Sequence, residues 1–583
     1  MARQTFLDFV AGFRHTLAGP IAGTGRGVMT FLSLGGLLLI SLTTCTDDPV
    51  AITGFLAPSY TQLATAPVVN SLADPGDGTC NDTECTLREA IAFASSGATI
   101  TFSVTGDINL SSTLDINKSL IIRGPGAESL SLRGQNSYRV VGISNFSSAI
   151  AVELHGMTVR DGRTNGINGG GIYVGYATAL LDGMVVRDNT VTGSGSLFGA
   201  GISVFQANVT VRNSTITGNL FSGDASIQDG GGISFSYGTL TVENSAIVGN
   251  SAHGGGGIRV SNGVATVRNS TVSGNSASWL GGGVYISDGT LNVEFSTVAG
   301  NSGYLGGGVY AEGGTTALSA ALLADNTCTV SDSNAKPDLA DPYSRVTATY
   351  TLIESALGHS VANGGVNANI VGSDPGLDAL SDNGGFTQTH ALGSGSAAID
   401  HIPSGTIGCG STVASDQRGV SRPQGDACDV GAYEYVVAVA QDPDAPVVNS
   451  LLDDGDGTCT DVKCTLRDAT ASANSGAKIT FAPGLTGRIT LSGSPLPVAT
   501  DLTISGPGAG SLTVDGNGSS RVLYILSGVT ASISGLTITG GYASTSGAGI
   551  INYGNLTITD AAISGNTANM AVGGGIANYG TLR

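Results

Sequence analysis

The chain has 583 residues, a formal net charge of −20, only 24 Lys and Arg, and 41% hydrophobic against 12% charged residues. This balance excludes a nucleic-acid partner, which needs a concentrated basic face, and the recurring Val, Ile and Leu exclude a disordered polymer. The 90 glycines therefore mark corners of a folded chain, where positive φ or close backbone approach is required.

Residues 28–44 form an uncharged apolar run preceded by Arg3, Arg14 and Arg26, a basic region followed by an apolar core of export length. Cys45 follows Leu42-Thr43-Thr44, where a bacterial lipoprotein signal places its lipidated cysteine, although Thr44 is larger than the residue usual there. A cleaved signal peptide and an uncleaved anchor are the alternatives. Residues 1–45 are thus read as a signal, lipoprotein-like or anchor segment, the one part that meets a membrane, and 46–66 as a linker.

Residues 67–99 are expected to form a cysteine-bearing cap. Thr86-Leu87-Arg88-Glu89 has the Thr-x-x-Glu form of a capping box, followed by Ala90-Ile91-Ala92-Phe93-Ala94 and Gly97, which predicts a short helix plugging the N-terminal end of the repeats at 100–327. An ion pair and a cap account for Arg88 and Glu89.

From 100 to 327 a glycine triplet and a branched residue recur, as in Gly230-Gly231-Gly232-Ile233 and Gly255-Gly256-Gly257-Ile258, and the steps from Ile233 to Ile258, Val284 and Val309 are 25, 26 and 25 residues. Gly218-Asn219, Gly249-Asn250, Gly274-Asn275 and Gly300-Asn301 keep the same beat. Apolar and polar residues alternate within each unit, as at Val284-Tyr285-Ile286-Ser287, the mark of half-buried strands. Such a period predicts a solenoid of parallel strands, and the handedness of parallel crossovers makes it a right-handed parallel β-helix.

Residues 436–446 are read as a linker after a region at 328–435. Val447-Val448-Asn449-Ser450, Cys459, Cys464 and Thr465-Leu466-Arg467-Asp468-Ala469 then repeat the first cap at an offset of 379. The chain is therefore read as tandem modules, with a second cap at 447–479 and a second β-helix at 480–583. The latter is expected to be incomplete, because solenoids need terminal caps.

Six cysteines fall as Cys80/Cys85, Cys409/Cys428 and Cys459/Cys464, with Cys328 alone. An exported chain joins such pairs as disulfides; zinc is the alternative, but no histidine lies at ligand spacing from a pair. Asp74, Asp77 and Asp82, and their counterparts Asp453, Asp454, Asp456 and Asp461, read either as turn-forming Asp-Gly segments or as an oxygen-rich calcium loop, with Asp454, Asp456 and Asp461 as the candidates. No other cofactor is implied.

No Gly-x-Ser-x-Gly elbow sits between a strand and a helix, and the histidines show no partner pattern, so no catalytic residue is assigned. The residue after each branched position is Tyr173, Ser203, Ser234, Arg259, Tyr285 or Tyr310, expected as an outward stripe. Tyr285 and Tyr310 are the candidates for stacking on sugar rings, beside the plainer reading that Tyr favours strands.

The Cys85-Thr86-Leu87-Arg88-Glu89-Ala90 segment and its second copy at 464–469 resemble the CSLREA domain that precedes β-helix repeats in bacterial surface proteins. Leu380-Ser381-Asp382-Asn383-Gly384-Gly385-Phe386, Asp416-Gln417-Arg418-Gly419 and Cys428-Asp429-Val430-Gly431-Ala432-Tyr433-Glu434 resemble a choice-of-anchor region. The glycine repeats are similar to those of polymorphic outer-membrane proteins, without the Phe-x-x-Asn form common there. The resemblance implies an exported protein of the cell envelope, cell surface or medium, but no reaction. The expectation is a non-enzymatic adhesion, glycan-binding or structural role toward glycans or envelope and host proteins; the alternative is a polysaccharide lyase or glycoside hydrolase of pectate-lyase-like fold, and a plain spacer is the third reading.

Overall fold

A computed structural model describes residues 29–34, 37–42, 66–223, 227–330, 336–569 and 573–583. The chain forms two compact units, Met1–Leu63 and Ala64–Arg583. In the first, Met29–Leu34 pairs antiparallel with Leu37–Leu42. Among the described residues no helix is long and apolar enough to cross a membrane. Cys45 lies outside the described residues.

The second unit is a parallel β-helix. One coil shows the design: Ile233–Glu243 lies in the first sheet, Ala246–Val248 in the second and Ser251–Gly254 in the third. The next coil repeats this in register, with Ile233 beside Ile258, Leu240 beside Ala265, Ile247 beside Val272 and Ala252 beside Ala277. Among the described residues the three sheets of the first module hold 18, 11 and 9 strands. Inward residues stack on inward residues, so one continuous apolar core runs from Val69 to Ile353. Each buried Val, Ile or Leu contributes roughly 1.5–3 kcal/mol before the entropy of ordering the chain is counted.

The chain passes from the second to the third sheet at the Gly-Asn pairs. Gly218, Gly249, Gly274 and Gly300 have φ of 63° to 66°, a conformation that costs glycine little. The asparagines that follow are fully buried, and each side-chain amide donates to the next carboxamide oxygen, from Asn189 through Asn219, Asn250, Asn275 and Asn301 to Asn326, at 2.9–3.0 Å. Asp338 ends the ladder by accepting from Asn326 at 2.9 Å. A buried amide is tolerated here because its hydrogen bonds are made by identical neighbours one coil away.

Both caps carry the expected helix, Leu87–Phe93 and Leu466–Ser472, each with a complete capping box. Glu89 accepts from the Thr86 and Gly78 amides at 2.8 and 2.6 Å. The shorter Asp468 does the same for Thr465 and Gly457 at 3.0 and 2.8 Å. Arg88 grips Asp74, and Arg467 grips Asp453, through two bonds of 2.7–2.9 Å each.

The solenoid runs further than the glycine repeats mark. Stacking does not stop at 327: Leu339–Ala340, Val346–Thr349, Leu352–Ile353 and Ile370–Val371 add further rungs to the first two sheets. The region that follows, up to 435, packs on the solenoid. It folds back over the second sheet and shares a core with it, in which Leu392, Ile402, Val413, Val430 and Tyr433 meet Phe295, Leu322 and Leu352. Gln417 accepts from Thr271 at 2.7 Å, and His390 meets Ser273 at 2.8 Å. The physical cause lies in the sheet, whose outward residues here are short or apolar, Thr271 and Ser273, Thr297 and Ala299, Leu322 and Ala324, all buried.

Candidate functional site

The corner between the third and first sheets, built by the glycine triplets, is where charged and aromatic side chains converge. Triplet glycines are required there by space. A Cβ on Gly257 would lie 2.6 Å from the Gly283 carbonyl oxygen, and one on Gly283 would lie 2.7 Å from that of Gly308, closer than side chains pack.

Coil length varies at this corner. The steps from Ile172 to Ile202 and from Ile202 to Ile233 are 30 and 31 residues, against 25 or 26 afterwards. The added residues form two short strands, Ser196–Phe198 and Ile227–Asp229, which pair with each other. Asp229 then pairs with Gly254 of the following coil. These strands make a wall beside the stripe, anchored by Leu197 in a small apolar cluster with Val191 and Ala200.

Behind the wall sits Arg259. Its Nε donates to Asp229 Oδ2 at 3.0 Å, and its guanidinium lies 4.7 Å from the centre of the Phe198 ring. His253 Nδ1 is 4.0 Å from Asp229 Oδ1. Burial raises the Asp229 carboxyl above its ordinary value, against the opposing pull of Arg259 and His253. On the next coil the Tyr285 hydroxyl donates to Glu312, and burial followed by that bond pushes the phenol upward. A Cβ on Gly254 would meet Asp229 Oδ1 at 2.7 Å and the Tyr285 ring at 3.1 Å, so this glycine lets the two groups share one corner.

An aromatic stack flanks the cluster. His253, Trp279 and Tyr304 follow one another along the solenoid, with ring centres 6.4 and 5.0 Å apart and planes within 19° and 5° of parallel. Trp279 and Tyr304 are 45% and 37% exposed. A register shift between this strand and its neighbour, at Ala252 to Gly254 against Ala277 to Leu280, inserts the extra residue that accompanies Trp279. This bulge accounts for the single 26-residue step, and bulges re-aim side chains in this way.

The expected outward stripe is only partly outward. Ser203 and Ser234 are 2% exposed, because the glycine corner folds back onto them: a Cβ on Gly230 would meet that of Ser234 at 2.7 Å. Longer side chains reach past the corner. Tyr285 and Tyr310 are half-buried and meet edge to face at 6.1 Å, so neither offers a free flat face, and Trp279 and Tyr304 are the more exposed rings. Asp229, His253, Trp279 and Glu312 were not singled out by the sequence patterns. The unequal coil steps were the available signal, since inserted residues in a repeat map to loops on one face.

The remaining candidates lie elsewhere. The six cysteines form the disulfides Cys80–Cys85, Cys409–Cys428 and Cys459–Cys464, while Cys328 is free among the described residues. Asp454 pairs with Lys463 at 2.9 Å, Asp456 accepts from the Thr458 amide at 2.9 Å and Asp461 accepts from the Val439 amide at 2.8 Å. Among the described residues no three His, Cys, Asp or Glu gather as a metal site would require. The three aspartates are thus engaged separately, two of them by backbone amides.

No curated protein matches this sequence. Among solved structures, a pectate lyase, Pel9A, is 13% identical over 64% of this chain and 97% of its own, with a TM-score of 0.36. A PL6 family alginate lyase, AlyGC, is 12% identical over 87% of this chain and 78% of its own, with a TM-score of 0.22. Scores of this size carry nothing about chemistry. Residues 141–327 match the family model described as a right handed beta helix region, and with the stacked parallel sheets this establishes the architecture as a right-handed parallel β-helix.

Proposed function

We propose that the protein is an exported surface β-helix that binds glycans, without cleaving them, at the glycine corner. The observation that carries this reading is the exposed Trp279–Tyr304 stack beside a polar line whose members already hold one another. Arg259 is committed to Asp229, and Tyr285 to Glu312, an arrangement that fixes side chains for recognition and leaves no uncommitted base among these four. The resemblance of residues 85–90 and 464–469 to CSLREA segments supports export, with Cys45 as the proposed lipidation position. The net charge of −20 disfavours polyanions away from Arg259 and His253.

A second reading rests on one observation. A carboxyl raised by burial, an Arg, a His and a Tyr gathered over neighbouring coils are the groups a polysaccharide lyase or hydrolase uses, and perturbed carboxyls mark catalytic sites more often than chance. Trp279 is the chain's single tryptophan, so its fluorescence reports the corner directly. Titration of the full chain with acidic and neutral polysaccharides should shift Trp279 emission while unsaturated and reducing ends stay at background. Product formation that is lost in Asp229→Asn would replace the binding reading with the enzymatic one, and an unchanged emission with every polymer would remove both.

A further inference from the structure

The same first-sheet strands end at a different bend, and this one holds an uncharged aromatic cleft. The bend residues of four consecutive coils are Tyr176, Gln206, Tyr237 and Asn262, with φ of 55°, 48°, 61° and 58°. Asparagine enters this left-handed region readily, whereas a bulky side chain there costs about 1–2 kcal/mol. Asn262 shows that the solenoid makes the bend without that cost. Tyr176, Gln206 and Tyr237 therefore hold strained positions that the bend itself does not demand, as binding surfaces do.

Their side chains extend a run of rings. Phe146 and Tyr176 are 4.6 Å apart, Tyr176 and Phe205 5.8 Å, and Phe205 and Tyr237 6.0 Å. Phe146 is 77% exposed and Tyr237 47%, although nothing in folding rewards leaving such rings in water. Beside Phe146 and Tyr176 lies a shallow, open cleft of about 450 Å³. Its polar lining is Asn145, Ser147, Ser148, Thr178, Gln206 and Asn208, and no Asp, Glu, Lys, Arg or His lines it. Asn208 turns its carboxamide oxygen to the Thr239 amide and hydroxyl, at 3.1 and 2.8 Å, which leaves its amide hydrogens for a ligand.

We propose that this cleft binds an uncharged glycan, a short run of neutral hexoses whose C–H faces lie on Phe146 and Tyr176 and whose hydroxyls meet the amides and hydroxyls of the lining. A chain of net charge −20 repels polyanions, and this lining offers them no cation in compensation. The site is separate from the glycine corner and does not rest on the reading given for that corner.

Calorimetric titration of the full chain with cello-, manno- and malto-oligosaccharides, beside oligogalacturonate, tests the proposal. At least one neutral series should bind while oligogalacturonate does not bind at this cleft. Phe146→Ala and Tyr176→Asn should each weaken binding by about tenfold or more, and Phe386→Ala, which removes an equally exposed ring (77%) far along the chain, should leave it unchanged. Asparagine is chosen at 176 because it keeps the left-handed bend, and an unaltered melting transition in each variant verifies folding. Absence of binding by every neutral series overturns the proposal, as does a loss in Phe386→Ala that Phe146→Ala does not share. Binding of an apolar peptide in place of the oligosaccharides, abolished by the same two substitutions, assigns the cleft to a protein partner and overturns it equally.

Discussion

Two corners of the same coils use polar residues in opposite ways. At the asparagine corner six successive coils contribute the same residue, and each amide from Asn189 to Asn301 is satisfied by its copy one coil away. At the glycine corner the backbone repeats while the side chains do not: Asp229, Arg259, Tyr285 and Glu312 belong to successive coils and meet unlike partners. Repetition gives a solenoid rigidity because each hydrogen bond is templated by the next. Departure from repetition is where recognition is built, since a ligand needs different groups at different places.

The sharpest way to break this contrast is Asn250→Leu. It removes the bonds to Asn275, Ile216 and Val248 and the two received from the Asn219 backbone and side-chain amides, leaving several buried polar groups unpaired at roughly 1–3 kcal/mol each. A loss of about 4 kcal/mol is expected in urea unfolding, and a loss under about 1 kcal/mol would show that the ladder is ornamental.

Arg259→Met should cost less, about 3 kcal/mol above neutral pH, because it strands a buried carboxylate. Asp229 already has a raised carboxyl, and without Arg259 it rises further and takes up a proton more readily. The cost should therefore shrink as pH falls, and a pH-independent loss would remove Asp229 as the partner that matters.

Asp338, at the end of the asparagine ladder, tests where the two kinds of corner meet. Burial raises its carboxyl from 3.8 to about 6. The folded state then binds the proton more tightly than the unfolded chain, so the stabilisation is fully present below about pH 4 and is lost as pH rises through about 6, on the order of 2–3 kcal/mol. Unfolding midpoints across that window should fall in the native chain, and the fall should be reduced in Asp338→Asn.

The smallest effect is expected at Trp279→Ala. The residue is 45% exposed, so stability should change by less than about 1 kcal/mol, while the glycan binding proposed for the glycine corner should be lost. A stability loss comparable to that of Asn250→Leu would make the stack a structural ladder like its asparagine counterpart.

The cap helices were legible because Thr86 with Glu89 and Thr465 with Asp468 act within one turn of chain. The outer face of the second sheet was less so. Its covering by residues up to 435 follows from Thr271, Ser273 and Ala299 being short, and such residues look ordinary until a partner segment lies on them. The site was hidden for a related reason. Asp229 and Arg259 are 30 residues apart, and Trp279 owes its place to one inserted residue in a strand.

By itself the sequence determined the period, the direction of the strands and the corners, because these rest on glycine, asparagine and alternating apolar residues, whose preferences are local and recur in phase. Only the tertiary structure decided which unlike side chains share a corner, which serines lie under a folded-back turn and which sheet face is covered. Those outcomes depend on coil length and register summed over neighbouring turns, where one added residue moves a side chain to a different neighbour.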